Sequence, residues 1–289
     1  MELLWQKITE WLKQVLISGI TDNLTGMFDA TNQKVAEISA QVGTTPQAWN
    51  SSIYNMIHAL SDSVIVPIAG AILAFVMTLE LIQMITEKNN LGDIYTWMFF
   101  KWAFKSAAAV LIVTNTWNIV MGVFDMAQSV VARVSGVIVS DASIDLSTVM
   151  TGLASRLNAM DVGPLFGLWF QSLFAGICTW ALTICIFIII YGRMIEIYLV
   201  TSLAPIPMAT MMNREWGSMG QNYLRSLLAL GFQAFLIIVC VAIYAVLVRN
   251  ISATSDISAA IWTCLGYTVL LCFCLFKTSS LAKGVFNAH

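Results

Sequence analysis

Residues 165–191 read LFGLWFQSLFAGICTWALTICIFIIIY, a run without one charged side chain. A helix needs about 20 mostly apolar residues to cross the hydrocarbon core of a bilayer. In lipid the backbone must satisfy its own hydrogen bonds, so a run of this kind is a helix or part of a closed barrel. Comparable runs cover residues 64–85, 97–124, 227–248 and 259–276, each too long and continuous for a barrel strand. A further run, 195–212, is short and interrupted by Pro205 and Pro207. It reads as a span, a re-entrant element or a kinked continuation of 165–191. The expected class is therefore all-α, a polytopic helical membrane protein with five to six transmembrane helices plus N-terminal amphipathic helices. Composition agrees, because 58% of the 289 residues are apolar and 10% are charged. Soluble domains carry roughly 25% charged residues, so this chain cannot cover a water-facing surface with charge.

The runs divide the chain into an amphipathic helical region at 1–62 and a first transmembrane hairpin at 63–124. An extramembrane connecting loop at 125–164, a transmembrane bundle at 165–277 and a tail at 278–289 follow. At the N-terminus Leu4, Ile8, Trp11, Leu12, Val15 and Leu16 recur at helical spacing opposite charged and amide side chains. Glu2, Lys7, Glu10 and Lys13 interrupt the stretch, which does not read as a signal peptide. Such a helix lies in the membrane interface with Trp5 and Trp11 as anchors, or packs on the chain's own membrane domain. Phe28, Thr31, Val35, Ile38 and Val42 then form a 3-4 seam suited to a partner helix. Gly43 ends that helix, Thr45 caps the next and Pro46 occupies its first turn. Trp49, Ile53, Ile57 and Leu60 make one apolar stripe. Within the long connection Val149, Leu153, Leu157 and Met160 mark a short amphipathic helix, started by Asp145 or Ser147.

Several function classes drop out. There is no H-E-x-x-H, G-x-S-x-G, Walker A or G-x-G-x-x-G pattern, and the only histidines are His58 and His289. No catalytic, cofactor-binding or metal-ligating residue is expected, and no enzyme. Fourteen Lys and Arg against sixteen Asp and Glu leave no polybasic footprint for nucleic acid. The six cysteines all lie in apolar runs, as small packing residues do.

Ionisable groups at membrane depth are the remaining pointers, because lipid makes them costly. Glu80 lies late in the first run, near Glu87 and Lys88, as an interfacial carboxylate or as part of a water-filled pathway. Lys101 and Lys105 share a face at i, i+4 and can snorkel to the headgroups as anchors. Arg193 and Glu196 are three apart on a helix and can pair. Just beyond them Pro205 and Pro207 free backbone carbonyls that protein or water must satisfy. A break of this kind suits an internal cavity or a moving element, and Arg214 follows it. Candidate channel, gating or structural residues are thus Glu80, Arg193, Glu196, Pro205, Pro207 and Arg214. The spacings Gly163-x-x-x-Gly167, Ser172-x-x-x-Gly176 and Gly70-x-x-x-Ala74 permit close helix approach. Orientation is open. With six spans, nine of the fourteen Lys and Arg fall on the N-terminal side, which favours an inside N-terminus.

The stretches NLTGMFDATNQKVAEIS, ITEKNN, YGRMIEIYLVTSLAPIPMATMMNRE, GQNYLRSLLALGFQAFLI and GYTVLLCFCLFKTSSLAKGVFNAH resemble a known family. They are similar to the TrbL-type (VirB/TrbL) polytopic subunit of conjugative type IV secretion systems, in the branch on Gram-positive integrative conjugative elements. Residues 191–232, with an alanine-proline turn followed by Arg and Trp before another span, carry the most specific part. The resemblance implies a non-enzymatic subunit of the inner-membrane passage for DNA and protein, multi-pass in the bacterial cytoplasmic membrane. It implies a VirB-type ATPase, a coupling protein and a pilin-like small membrane protein as partners, an oligomer, and transient contact with transferred DNA. It also places the central loop outside the cytoplasm, which implies an outside N-terminus, against the charge count. The alternative from the residues alone is a secondary transporter or ion channel using Glu80 and Glu196. A membrane assembly factor that never lines the passage is a third reading.

Overall fold

The computed structural model describes residues 2–86, 96–142, 146–251 and 256–288. Every regular element among them is helical. In order they are α1 (Glu2–Val42), α2 (Pro46–Trp49), α3 (Ser51–Leu60), α4 (Val66–Thr86), α5 (Thr96–Thr114), α6 (Thr116–Ala142), α7 (Leu146–Asn158), α8 (Val162–Ser202), α9 (Pro205–Thr210), α10 (Gly217–Ile251) and α11 (Ile257–Val285). A single π turn, Ser61–Ile65, joins α3 to α4 without interrupting the rod. Five helical stretches among the described residues are long and apolar enough to cross a membrane: Ser51–Thr86, Trp97–Thr114, Val162–Ser202, Gly217–Val248 and Ile257–Val285. The chain is an all-α polytopic membrane protein.

Three local outcomes follow from identifiable residues. The first part of the short fourth run, through Ser202, continues the third in the unbroken helix α8, and the rest departs from it as α9. The second run instead divides at Asn115. Its amide donates to the Leu111 carbonyl at 2.9 Å, competing with the helix's own bond, while the backbone bonds Asn115 to Leu111 and Ile119 to Asn115 persist. The first part of the long connection, expected as a loop, is helix through Ala142. Val120, Phe124, Ala127 and Val131 are buried along one stripe there, and burial of a stripe is what sustains such a helix. The expected start of α7 at Asp145 and the side chain of Val149 lie outside the described residues, as do Glu87 and Lys88.

The chain divides into two compact units. The first comprises Met1–Val42, Val131–Ile190 and Phe235–Thr278. In it α1 buries Leu16, Ile20, Leu24 and Met27, while α8 buries Leu165, Leu168, Ser172, Ala175, Leu182, Ile186 and Ile189 at near-heptad spacing. Asn23 donates to Ser172 at 2.9 Å. Gly19 lies against the Trp169 ring, where a Cβ would come within 2.7 Å of Nε1. Tyr244 and Thr268 share a buried hydrogen bond of 2.9 Å between α10 and α11. Phe28, Ile38 and Val42 of the 3-4 seam are themselves buried in the chain; the side chains of Thr31 and Val35 lie outside the described residues. The N-terminal face of α1 is exposed, with Trp5 at 67% and Trp11 at 62%.

The second unit comprises Gly43–Val130, Tyr191–Ala234 and Ser279–His289. Its α2 starts as expected, with the Thr45 side chain accepting from the Ala48 amide and Pro46 in the first turn. Tyr198 donates to the Pro46 carbonyl at 2.6 Å, and Trp49 packs edge-on against Tyr191. One core joins Val120 and Phe124 of α6 to Met194 and Ile197 of α8 and to Leu227 and Leu230 of α10. A second core seats Ala209 of α9 on Ala69, Leu73 and Met77 of α4 and on Ala109 and Val113 of α5. At the glycines of the small-residue spacings, Gly70, Gly163, Gly167 and Gly176, an added Cβ would meet nothing within 4 Å outside its own helix. Close approach occurs at other glycines.

Candidate functional site

The second unit concentrates the polar chemistry, and Glu80 is its centre. Glu80 lies late in α4, where its side chain is turned inward and only 12% exposed. A bare carboxylate there would be costly, and both oxygens are engaged. Lys105 of α5 pairs with Oε1, and Asn213 donates from Nδ2 to Oε2 at 2.9 Å. Asn213, buried, accepts at Oδ1 from the backbone amides of Glu215 and Trp216 at 2.9 and 3.0 Å. One side chain thereby closes the turn that launches α10 and holds the carboxylate of α4. Trp102 adds a second strut, donating from Nε1 to the Met77 carbonyl at 3.0 Å.

Beside this network lies a cavity of about 240 Å³ lined by Glu80, Gln83, Lys101, Trp102, Lys105 and Arg214, among others. Three cationic side chains face it against one carboxylate. The C-terminal part of α4 and the N-terminal part of α5 meet at this cavity.

The helix break follows directly from the two prolines. Pro205 cannot donate to the Thr201 carbonyl, nor Pro207 to the Leu203 carbonyl. Ala204 donates to Thr201 instead at 3.1 Å, and Ile206 to Leu203 at 3.2 Å. Shorter i to i−3 bonds therefore satisfy both freed carbonyls without water or ligand. Pro205 becomes the first residue of α9. Gly220 of α10 then approaches so closely that a Cβ would fall 2.6 Å from the Pro207 carbonyl oxygen.

Arg193 and Glu196 do not turn chiefly to each other. Buried Arg193 donates from Nε to the Leu230 carbonyl at 3.4 Å, and Glu196 pairs with Lys283 at 3.3 Å. The structure thus gathers Glu80, Lys101, Lys105 and Arg214 around one cavity. It places Pro205 and Pro207 in the segment that packs on α4 and α5, while Arg193 and Glu196 bind α10 and the C-terminal end of α11. Trp5 and Trp11 belong to the first unit. Asn213 and Lys283 were not legible as participants. For Asn213 a signal existed: an Asn three residues ahead of a turn into a helix commonly accepts from the next amides.

This arrangement ties helices α4 and α5 to the turn that opens α10. A family model described as TrbL/VirB6 plasmid conjugal transfer like protein matches residues 31–205. No curated protein and no solved structure matches the chain.

Proposed function

The chain belongs to the TrbL/VirB6 plasmid conjugal transfer-like family, and from that premise we propose that it is a structural channel or scaffold subunit of a conjugative type IV secretion system. Its general place as a component of conjugal transfer follows from the family. The finer role rests on one observation. The proline-broken segment leading to α9 is seated on the first hairpin and secured by the Asn213–Glu80–Lys105 tie. A discontinuous helix held against a pair of spans is the kind of element that shapes or gates a passage, because irregular backbone at membrane depth is tolerated only against protein or a cavity. In this reading the subunit resides in the bacterial cytoplasmic membrane, acts without catalysis and assembles as an oligomer. It works beside a VirB-type ATPase, a coupling protein and a pilin-like small membrane protein, touching transferred DNA transiently. Residues 193–214 shape the passage, and Trp5 and Trp11 present the exposed face of α1 to lipid or a partner.

The transporter alternative draws no support from the carboxylates it needs, since Glu80 and Glu196 each hold a lysine. Deleting the gene tests the proposal: conjugative transfer should be abolished with relaxase nicking of DNA intact, and unchanged transfer would overturn it. Crosslinking of this subunit to DNA in transit separates a passage-lining role from that of an assembly factor.

A further inference from the structure

In the first unit α1, α8 and α11 run parallel and in register. Gly19 lies against the Trp169 ring and Asn23 donates to Ser172, pairs 150 and 149 residues apart. Ser258 of α11 donates to Gln171 across 87 residues, and the Trp262 ring stands beside Phe174. Met27 then meets Cys264 with 3.9 Å between the sulfurs, 237 residues apart, as the first two offsets together require. Depth on one helix is therefore depth on the others. Asp256 and Lys277 bracket the apolar run of α11, and Gly19 of α1 stands level with Asp256. From Gly19 to Val42 α1 is unbroken, about 35 Å at 1.5 Å per residue. That length crosses a hydrocarbon core about 30 Å thick. A buried stripe, Ile20, Leu24, Met27, Phe28, Ile38 and Val42, keeps this half of α1 on the protein to its end.

The opposite face of this half is unlike those of its neighbours. Its exposed positions among the described residues are Asp22, Gly26, Asp29, Gln33, Ala36 and Ala40, one stripe at alternating spacings of four and three. Every one is small or polar. On the flank Lys34 pairs with Glu37. At the same depths α8 exposes Phe174, Ile177, Trp180 and Phe187, and α11 exposes Trp262 and Phe273, side chains that lipid accepts. We infer that residues 19–42 of α1 cross the membrane and turn this polar stripe to a water-filled passage. Hydropathy passes over such a span because a window averages its two faces. Lipid against the stripe would strip water from two carboxylates, and ionisable groups at bilayer depth instead face a bundle interior or a water-filled cavity. A second copy packed on the same stripe would set Asp22 and Asp29 toward their own counterparts, where low dielectric makes like charges repel strongly. Water is the neighbour that satisfies both carboxylates. This goes beyond the role proposed above and does not depend on it: transfer assays test that role, thiol chemistry tests this stripe, and either can fail alone.

The test uses the full chain in membrane vesicles, its six cysteines replaced by alanine and single cysteines added. A small cationic methanethiosulfonate probes the stripe. Asp29→Cys is compared with Trp180→Cys, and Ala36→Cys with Phe187→Cys, pairs matched in depth between α1 and the lipid-facing side of α8. The two α1 thiols should react about tenfold or more faster, because a thiol attacks as its thiolate and lipid suppresses ionisation. Equal rates within both pairs would overturn the inference. Disulfides joining two copies through Ala36→Cys, with no reaction with the probe, would reassign the stripe to contact between copies and overturn it equally. A maleimide on a bulky polyethylene glycol probes the crossing. Gln14→Cys should be labelled in vesicles of one orientation and Gln47→Cys in vesicles of the other; labelling of both from one side would overturn the crossing. Should the cysteine-free chain fail to fold, the same comparisons are read over the native background, since none of the six cysteines lies on α1.

Discussion

Asn213 donates from Nδ2 to Glu80 Oε2 at 2.9 Å, joining residues 133 positions apart in the chain. The same amide accepts two backbone N–H groups at the start of α10, so one side chain sets both the exit of the broken segment and its seat on α4. Replacing it leaves a carboxylate oxygen and two amides without partners.

Asn213→Ala should therefore destabilise the chain by about 1–3 kcal/mol from the orphaned carboxylate oxygen, with up to about 1 kcal/mol more from the lost cap. Thermal unfolding of the purified chain in detergent measures this. Asn213→Asp keeps the cap but sets two carboxylates together, and should do no better than Asn213→Ala.

Glu80 and Lys105 are an enclosed pair whose separate removal leaves a charge behind. Glu80→Gln and Lys105→Gln should each cost more than half of what the double variant costs. A double-mutant cycle should return a coupling of about 1–3 kcal/mol. A coupling near zero would mean that solvent screens the pair. Lys283→Ala, at a more open pair with Glu196, should change stability by less than about 1 kcal/mol.

Gly220→Ala places a Cβ 2.6 Å from the Pro207 carbonyl oxygen and 2.8 Å from the Met211 Cβ. Backbone must move to admit it, so a loss of about 1–3 kcal/mol is expected in the same melt. Gly122→Ala, where nothing lies within 4 Å, should be neutral or stabilising by up to about 1 kcal/mol through helix propensity.

Pro205→Ala with Pro207→Ala restores two helix donors and lets α8 run on past Ser202. The double variant should melt no lower than the parent, while conjugative transfer falls when it replaces the native gene. Full transfer from a stably folded variant would detach the break from function.

Local chemistry determined much of this protein. Long, mostly apolar runs made the helices and the membrane class legible, because a backbone in lipid must satisfy its own hydrogen bonds. Thr45 with Pro46, and Pro205 with Pro207, announced a helix start and a helix break for the same reason: a cap or a missing N–H acts within one turn. The family was legible in its motifs, and residues 31–205 match it. Tertiary structure decided what local pattern leaves open. Residues 116–142 are one helix, with Val120 and Phe124 buried in a core against α8 and α10. The Gly70 and Gly163 spacings stand open while Gly19 and Gly220 take the close contacts. Glu80 meets Lys105 because α4 packs on α5, and Asn213 joins them from far along the chain. Spacing shows which residues share a helix face; only the packing of helices decides which faces meet, and therefore which charges find partners.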